Sequence, residues 1–277
     1  MIQDAGSSTG GSGSDGAPRA DSASGGVDAA LDAGALPFKG VALGESGATC
    51  ADIATLTLSW YYNWTTRTGC RTSAEFVPQI WGHPGEAIAT EISAIAAAGY
   101  KTVLGFNEPS EPGQSLYTVA QAVAFWPQLT ANPGLRVGSP ATASGAAGQA
   151  WFTDFMTQAA QQHLRIDFIA LHWYGWGAGS CDATASQLER YITWAESHWP
   201  NYPIWITEWG CLNLSAPTPE GVKSFYDGAL KVFAKPNHHI ERYGWFLSRN
   251  SDNTALMTAA GMVTPLGADY AAAPTFR

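Results

Sequence analysis

Charged residues are scarce in this chain. They make up 13% of its 277 residues, and only 14 residues are lysine or arginine. The formal net charge is −9 at pH 7, and no basic patch stands out. Nucleic-acid-binding proteins use such a patch to neutralise phosphates, so we expect no nucleic-acid partner. A neutral substrate such as a polysaccharide is indifferent to a charge of this sign.

Long apolar runs are also missing. No run reaches the ~18 residues that a membrane-spanning helix needs, so the sequence predicts no membrane span. Met1 leads directly into linker-like sequence and not into the apolar segment of a signal peptide.

The first part of the chain lacks aromatic residues, the first of which is Phe38. Gly, Ser, Ala and Asp supply 26 of the first 34 residues. Such a stretch buries too little apolar surface to offset the entropy of ordering it. We therefore expect residues 1–36 to be a disordered linker and residues 37–277 to form one domain of roughly 240 residues, near the ~250 that are typical of a (β/α)8 barrel.

Cysteine occurs only four times, and four cysteines allow three disulfide connectivities. Cys50 and Cys70 bracket one strand-like run, whereas Cys181 and Cys211 each follow a strand by a few residues. We favour pairing Cys50 with Cys70 and Cys181 with Cys211; four unpaired thiols in a cytosolic protein are the alternative. The flexible leader favours an extracellular location, where disulfides persist.

Strand-like runs recur eight times after residue 37, and each is short, apolar and rich in β-branched or aromatic residues. They lie at Gly40–Gly44, Leu58–Asn63, Glu75–Trp81, Lys101–Asn107, Leu135–Ser139, Ile166–Trp173, Ile204–Trp209 and Arg242–Leu247. The clearest helices between them run from Pro84 to Gly99 and over Gln149–Gln162, Ala185–Trp199 and Pro219–Phe233. The stretch between Trp64 and Glu75 is too short for a normal helix.

This alternation predicts an α/β fold with a parallel sheet, and eight strands in ~240 residues predict closure into a single (β/α)8 TIM barrel. A doubly wound open sheet is the main alternative. No Gly-x-Gly-x-x-Gly or Walker-type loop follows the early strands, which disfavours it.

Two glutamates stand where predicted strands end, Glu108 after the fourth strand and Glu208 after the seventh. Barrel chemistry lies at this C-terminal rim. Because Pro109 follows Glu108, we expect extended geometry at Glu108. Paired carboxylates are typical of glycosidic bond cleavage, in which one donates a proton and the other stabilises or attacks the anomeric centre. We therefore predict that Glu108 and Glu208 are catalytic.

Aromatic and amide side chains surround these strand ends. Rings with polar tips suit a sugar, whose faces are apolar and whose hydroxyls need partners. We expect substrate contacts from Asn63, Tyr62, Trp81, Asn107, His172, Tyr174, Trp176, Trp209 and Trp245. For Trp60, Trp64, Trp173 and Trp205 we favour an ordinary core position.

His172 and Tyr174 share strand parity, so both face one side of the strand. If that side is the lumen, they could hold the carboxylates or reach a sugar hydroxyl; a buried structural histidine is the alternative. We interpret His238 and His239 as a solvated loop. No His/Cys/Asp cluster has metal-ligand spacing, and no Gly-x-Ser-x-Gly elbow follows a predicted strand, so we expect neither a metal nor a serine nucleophile.

Six segments in order resemble glycoside hydrolase family 128 over residues 38–271. They are Leu58–Trp64, Leu104–Pro109, Asp167–Gly175, Ile206–Trp209, Glu241–Phe246 and Leu266–Tyr270. The resemblance implies a retaining barrel that acts on β-1,3-glucan, with Glu108 as acid/base and Glu208 as nucleophile. The family also includes exo-acting members and glucan binders with little hydrolysis.

We therefore expect a secreted, monomeric, retaining β-1,3-glucanase that needs no cofactor and cleaves internally. A glucan-binding protein with weak or no hydrolysis is one alternative. A barrel glycanase for another β-linked polysaccharide is the other.

Overall fold

The computed structural model describes residues 38–44, 49–175, 181, 184–211, 217–250 and 252–274. Within these ranges, strands and helices alternate along the chain. The strands are β1 (Phe38–Ala42), β2 (Trp60–Tyr62), β3 (Glu75–Phe76), β4 (Thr102–Val103), β5 (Arg136–Val137), β6 (Ile169–Tyr174), β7 (Ile204–Gly210) and β8 (Ile240–Phe246). The helices are α1 (Cys50–Thr55), α2 (Ile88–Ala97), α3 (Val119–Leu129), α4 (Ala146–Gln161), α5 (Thr184–His198), α6 (Pro219–Phe233) and α7 (Pro265–Ala272).

The eight strands are parallel and close into a barrel. Six of them pair in the order β3-β2-β1-β8-β7-β6, and β4 pairs with β5. Single parallel bridges join the two groups, from Gln79 to Leu104 on one side and from Gly138 to Phe168 on the other. The predicted (β/α)8 barrel is thereby confirmed, including the connection from β2 to β3, which contains no helix.

Helix boundaries differ from the sequence prediction most clearly at α2, which begins at Ile88 and not at Pro84. Oε2 of Glu86 accepts hydrogen bonds from the backbone N–H groups of Gly82 and His83, at 2.8 and 3.1 Å. This bonding holds the segment before α2 as a turn. Helix α3 was not singled out from the sequence, although its capping box of Thr118 and Gln121 was a usable signal.

The barrel contains two apolar clusters, one on each side of the sheet. The outer cluster fills the space between the strands and the helices. The inner cluster fills the barrel itself and consists of Ala42, Trp60, Tyr62, Val77, Leu104, Ala141, Phe168, Ala170 and Trp205. At the N-terminal end of the lumen, the guanidinium of Arg242 lies 4.1 Å from the ring centroid of Trp205. Trp60, Trp173 and Trp205 thus pack in the protein core, as expected.

An irregularity in β7 decides which of its side chains face the cleft. Leu171 pairs with Ile206, but the next residue, His172, pairs with Glu208, so β7 has one extra residue at Thr207. The register with β8 also shifts between Ile206 and Trp209. A bulge of this kind reverses the side-chain alternation beyond it. Glu208 therefore faces inward.

Both predicted disulfides are present. Cys50 pairs with Cys70 across a Cα–Cα distance of 5.3 Å, and Cys181 pairs with Cys211 across 5.9 Å. The second bridge ties the region after β6 to the end of β7, at the C-terminal rim of the barrel. None of the helices that the structure describes is both long and apolar enough to cross a bilayer.

Candidate active site

Glu108 and Glu208 meet at one cleft on the C-terminal rim of the barrel. One oxygen of each carboxyl group and a ring nitrogen of His172 all lie within 4.8 Å of one another. The cleft has a volume of about 450 Å³. It is lined by Trp64, Trp81, Asn107, Glu108, Gln114, Tyr174, Glu208 and Phe246. The paired carboxylates expected from the sequence are thus brought together in an accessible cavity.

Hydrogen-bond donors surround Glu208. Its Oε1 accepts from the Tyr62 hydroxyl at 2.6 Å and from Nε1 of Trp64 at 2.9 Å. Its Oε2 accepts from the Tyr174 hydroxyl and lies 3.5 Å from Nδ1 of His172. A carboxylate accepts at both oxygens, whereas a carboxylic acid would direct its own hydrogen against one of these donors. The surroundings therefore suit a charged, fixed carboxylate.

Glu108 has a different environment. Its side chain is 13% exposed, against 5% for Glu208, and its Oε1 lies 3.1 Å from Nδ1 of His172. The backbone φ of Glu108 is +39°, which corrects the expectation of extended geometry before Pro109. The Glu108 N–H donates to the carbonyl of Ala141 at 2.7 Å, and this contact fixes the backbone in the strained conformation. Backbone strain of this kind is found most often at functional sites.

His172 lies between the two carboxylates and is almost completely buried. Burial alone would lower the pKa of the imidazole. The charge of Glu208, the hydrogen bond with Glu108 and the charge of Glu108 act in the opposite direction, and the net pKa is raised above 6.5. The sequence left open whether His172 holds the carboxylates, reaches a sugar hydroxyl or is a buried structural residue. In the structure, His172 contacts both carboxylates.

The two phenols beside Glu208 remain protonated donors. Burial, followed by the charge of Glu208, raises the pKa of both Tyr62 and Tyr174 well above 10. Tyr62 is fully buried beneath Glu208, so its contact is with the carboxylate and the expectation of a direct sugar contact is corrected. Tyr174 also lines the cleft.

The Glu108 side of the cleft carries an amide pair and an aromatic ring. Asn107 donates from Nδ2 to Oε1 of Gln114 at 2.9 Å, and both residues line the cleft. The Trp81 ring, also in the lining, stacks on His83 with the centroids 4.1 Å apart and the planes at 19°. These groups offer amide partners and a partly exposed ring to a ligand.

Several residues expected at the site lie elsewhere. Trp209 and Trp245 are fully buried in the outer cluster, where Trp209 packs against Phe225 and Phe233 of α6. Their expected sugar contacts are corrected. Trp209 points outward because the bulge reverses the alternation of β7 beyond Thr207. Trp245 points outward by the regular alternation of β8, on the same face as Tyr243. Asn63 binds the Arg67 carbonyl and Thr65 in a local turn and does not line the cleft. Trp176 lies outside the described residues.

Trp64, Gln114 and Phe246 line the cleft but were not among the expected site residues. Trp64 was interpreted as core. It lies just after β2 with φ +60°, a left-handed conformation that departs from strand alternation and directs the indole N–H at Glu208. Its place two residues after Tyr62 was the available signal, since same-parity residues share a face.

His238 also departs from the sequence interpretation, which placed it in a solvated loop. Its side chain is 1% exposed, and Nδ1 lies 2.8 Å from Oε2 of Glu196. Glu189 lies 3.6 Å from Nε2. The hydrogen bond to Glu196 is the main cause of a raised His238 pKa. The acidic partners come from α5, so sequence neighbours of His238 gave no signal for them. His239 is exposed, as expected.

Among the described residues, one group of side chains is spaced closely enough to bind a metal ion, and it consists of Glu108, His172 and Glu208. These three groups already pair with one another through Nδ1 of His172. We interpret them as a carboxylate pair with a shared hydrogen-bond partner.

Comparison with known proteins agrees with this geometry. A family model described as the glycosyl hydrolase catalytic core matches residues 40–270. Alkali-sensitive linkage protein 1 of Schizosaccharomyces pombe is 31% identical, with 77% of this chain and 40% of that protein covered. This chain thus spans less than half the length of that curated relative.

Solved structures are similar over nearly their whole length. A family 128 (subgroup I) endo-β-1,3-glucanase from Amycolatopsis mediterranei, a mutant in complex with laminaripentaose, is 31% identical with a TM-score of 0.72. The match covers 85% of this chain and 99% of that one. A family 128 (subgroup III) curdlan-specific exo-β-1,3-glucanase from Blastomyces gilchristii is 27% identical with a TM-score of 0.71, covering 85% and 98%.

Proposed function

Because the chain belongs to glycoside hydrolase family 128, we propose that it hydrolyses β-1,3-glucan with retention of anomeric configuration. The observation that carries the proposal is the approach of Glu108 and Glu208, with one oxygen of each carboxyl group within 4.8 Å of the other. Retaining enzymes have carboxyl groups about 5–5.5 Å apart, whereas inverting enzymes leave about 6.5–9.5 Å for a water molecule.

In the first step, a carboxylate oxygen of Glu208 attacks the anomeric carbon and forms an ester bond. The glycosidic C–O bond breaks, its electron pair goes to the leaving oxygen, and that oxygen takes the proton of Glu108. The assignment of roles rests on the surroundings of each group. Glu208 is held by donors at both oxygens, as a nucleophile requires, whereas Glu108 is more exposed and has one side-chain partner among the described residues.

In the second step, Glu108 acts as a base. It takes a proton from water while the water oxygen attacks the anomeric carbon. The ester bond breaks and its electron pair returns to Glu208. The sugar leaves with its original configuration, and both carboxyl groups are restored to their starting states.

We propose internal cleavage of the chain. This is supported by the higher identity to the endo-acting Amycolatopsis structure than to the exo-acting Blastomyces structure. We further propose a secreted protein, because both disulfides suit an oxidising compartment.

A digest of laminarin with product analysis tests the proposal. We expect reducing ends to appear, and early products of mixed length if cleavage is internal. Proton NMR of the first product should show the β-anomer. Binding of laminarin without new reducing ends would identify a glucan-binding protein. Hydrolysis of only β-1,4-mannan or cellulose, in a panel of polysaccharides, would show that the enzyme acts on another β-linked glycan and not on β-1,3-glucan.

A further inference from the structure

A single nitrogen atom faces both catalytic carboxylates. Nδ1 of His172 lies 3.1 Å from Oε1 of Glu108 and 3.5 Å from Oε2 of Glu208. His172 pairs with Glu208 in the register of β6 and β7, so the backbone of two adjacent strands fixes this arrangement. With its side chain 1% exposed, His172 has little contact with water that could replace either partner.

The partners of the two carboxylates are unequal. Glu208 keeps hydrogen bonds from Tyr62, Trp64 and Tyr174 whether or not His172 turns away. Among the hydrogen bonds of the described residues, His172 is the side-chain partner of the Glu108 carboxyl group. A charge on Glu108 therefore depends on His172 far more than a charge on Glu208 does.

The proposed reaction moves a negative charge between these two groups. Glu208 is ionised before the first step and becomes a neutral ester, while Glu108 loses its proton and becomes ionised. The second step reverses the change. A donor that bonds to whichever group is charged stabilises both transition states, and a hydrogen bond to a charged group is worth more than one to a neutral group.

We propose that His172 is a positioning residue whose Nδ1–H follows the negative charge from Glu208 to Glu108 and back during the two half-reactions. The proposal rests on the proposed retaining function. It differs from a structural role for His172, in which the ring would only fill space or orient Glu208.

Two variants, one with and one without a hydrogen-bond donor, separate these roles. His172→Asn keeps a donor nitrogen near the position of Nδ1, whereas His172→Leu fills the space with no donor. The control is His239→Ala, which changes an exposed histidine that does not line the cleft. Thermal unfolding shows that each variant is folded before its kinetics are measured.

Two substrates report the two half-reactions. Laminarin has a leaving group that needs the proton of Glu108, so kcat/KM on laminarin reports formation of the ester with transfer of the charge to Glu108. The second substrate is 2,4-dinitrophenyl β-laminaribioside, for which a stopped-flow burst shows that the ester accumulates and the steady state reports its hydrolysis. We expect His172→Leu to slow both half-reactions roughly 10- to 100-fold, the cost of one hydrogen bond to a charged group. His172→Asn should restore both half-reactions to within about fivefold of wild type.

Two results would overturn the proposal: one half-reaction in His172→Leu proceeding at the wild-type rate, measured on laminarin for ester formation and on the dinitrophenyl glycoside for ester hydrolysis, or His172→Asn being as slow as His172→Leu. A wild-type protein that releases no dinitrophenol would overturn the proposed function, and this proposal with it. Hydrolysis with inversion would have the same consequence, because no ester is then formed.

Discussion

The hydroxyl of Tyr62 lies 2.6 Å from Oε1 of Glu208, so a buried side chain of β2 holds a carboxylate of β7 across the lumen of the barrel. Tyr62 belongs to the inner apolar cluster and is completely buried. Its neighbour Tyr61 faces the outer cluster, and the Tyr61 hydroxyl bonds to Thr68 at 2.8 Å. Two adjacent tyrosines thus have different tasks because a strand alternates its faces.

Replacing Tyr62 with Phe removes one donor from Glu208 and leaves the ring in place. We expect kcat on laminarin to fall roughly 10-fold, because one hydrogen bond to the proposed nucleophile is lost. Tyr61→Phe is the matched control and should leave kcat unchanged. Initial rates of reducing-sugar release measure both variants. Equal rates for Tyr62→Phe and wild type would show that the hydrogen bond from Tyr62 to Glu208 does not contribute to catalysis.

The two glutamates should respond differently to substitution. Glu208→Gln removes the nucleophile but keeps the shape of the cleft, so turnover should fall on the order of 10⁴-fold or more while laminari-oligosaccharides still bind. Glu108→Ala should slow laminarin hydrolysis by roughly 10²–10⁴-fold. The same variant should still form the ester rapidly from a dinitrophenyl glycoside, which needs no acid.

Calorimetry for binding and stopped-flow release of dinitrophenol check these expectations. Ordinary turnover by Glu208→Gln would contradict its assignment as nucleophile. A Glu108→Ala variant that is equally slow in forming the ester from both substrates would contradict the assignment of Glu108 as acid.

The positions of Glu108 and Glu208 were predictable because eight strand-like runs could be counted and each acid closes one of them. A barrel places all such ends on one rim, so the pairing follows from the count. His172 and Tyr174 were predictable to the same extent, since β6 alternates regularly and carries both to one face.

The side chains beyond the β7 bulge were not predictable in this way. A strict alternation from Trp205, which faces the lumen, carries Trp209 to the same side. The extra residue at Thr207 reverses this and places Glu208 inside and Trp209 outside. A bulge shows only when neighbouring strands are aligned, and a single sequence does not contain that alignment. Trp64 was missed for a different reason, because it was interpreted as core although it lies two residues after Tyr62 and shares its parity.

Trp64 and Trp209 provide a direct test of this corrected assignment. Nε1 of Trp209 is buried without a hydrogen-bond partner among the described residues, so Trp209→Phe loses only packing volume. We expect Trp209→Phe to lower the free energy of unfolding by about 1–3 kcal/mol and to leave kcat within about twofold of wild type. Trp64→Phe removes the bond from Nε1 to Glu208, so kcat should fall roughly 10-fold with little change in stability.

Urea unfolding and initial rates on laminarin give both quantities for each variant. A large loss of activity in folded Trp209→Phe, together with a normal rate in Trp64→Phe, would support the original sequence interpretation, in which Trp209 contacts the substrate and Trp64 packs in the core.

The pair formed by buried His238 and partly buried Glu196 predicts a pH dependence of stability. Glu196 and Glu189 lie on α5 and approach the His238 ring, and Lys235, which follows α6, pairs with Glu189. The hydrogen bond to Glu196 raises the pKa of folded His238 above its ordinary value of 6.5. The folded protein therefore binds the proton more tightly than the unfolded chain. The stabilisation is fully present below pH 6.5 and is lost as the pH rises through the folded pKa.

We expect His238→Asn to lower the free energy of unfolding more at pH 5.5 than at pH 8.5, because asparagine does not titrate. Urea unfolding at a series of pH values measures the difference between wild type and variant. His239→Asn, at the adjacent and exposed position, is the control for the change of residue type. A constant difference for His238→Asn over the whole range would mean that the proton on His238 contributes nothing to folding.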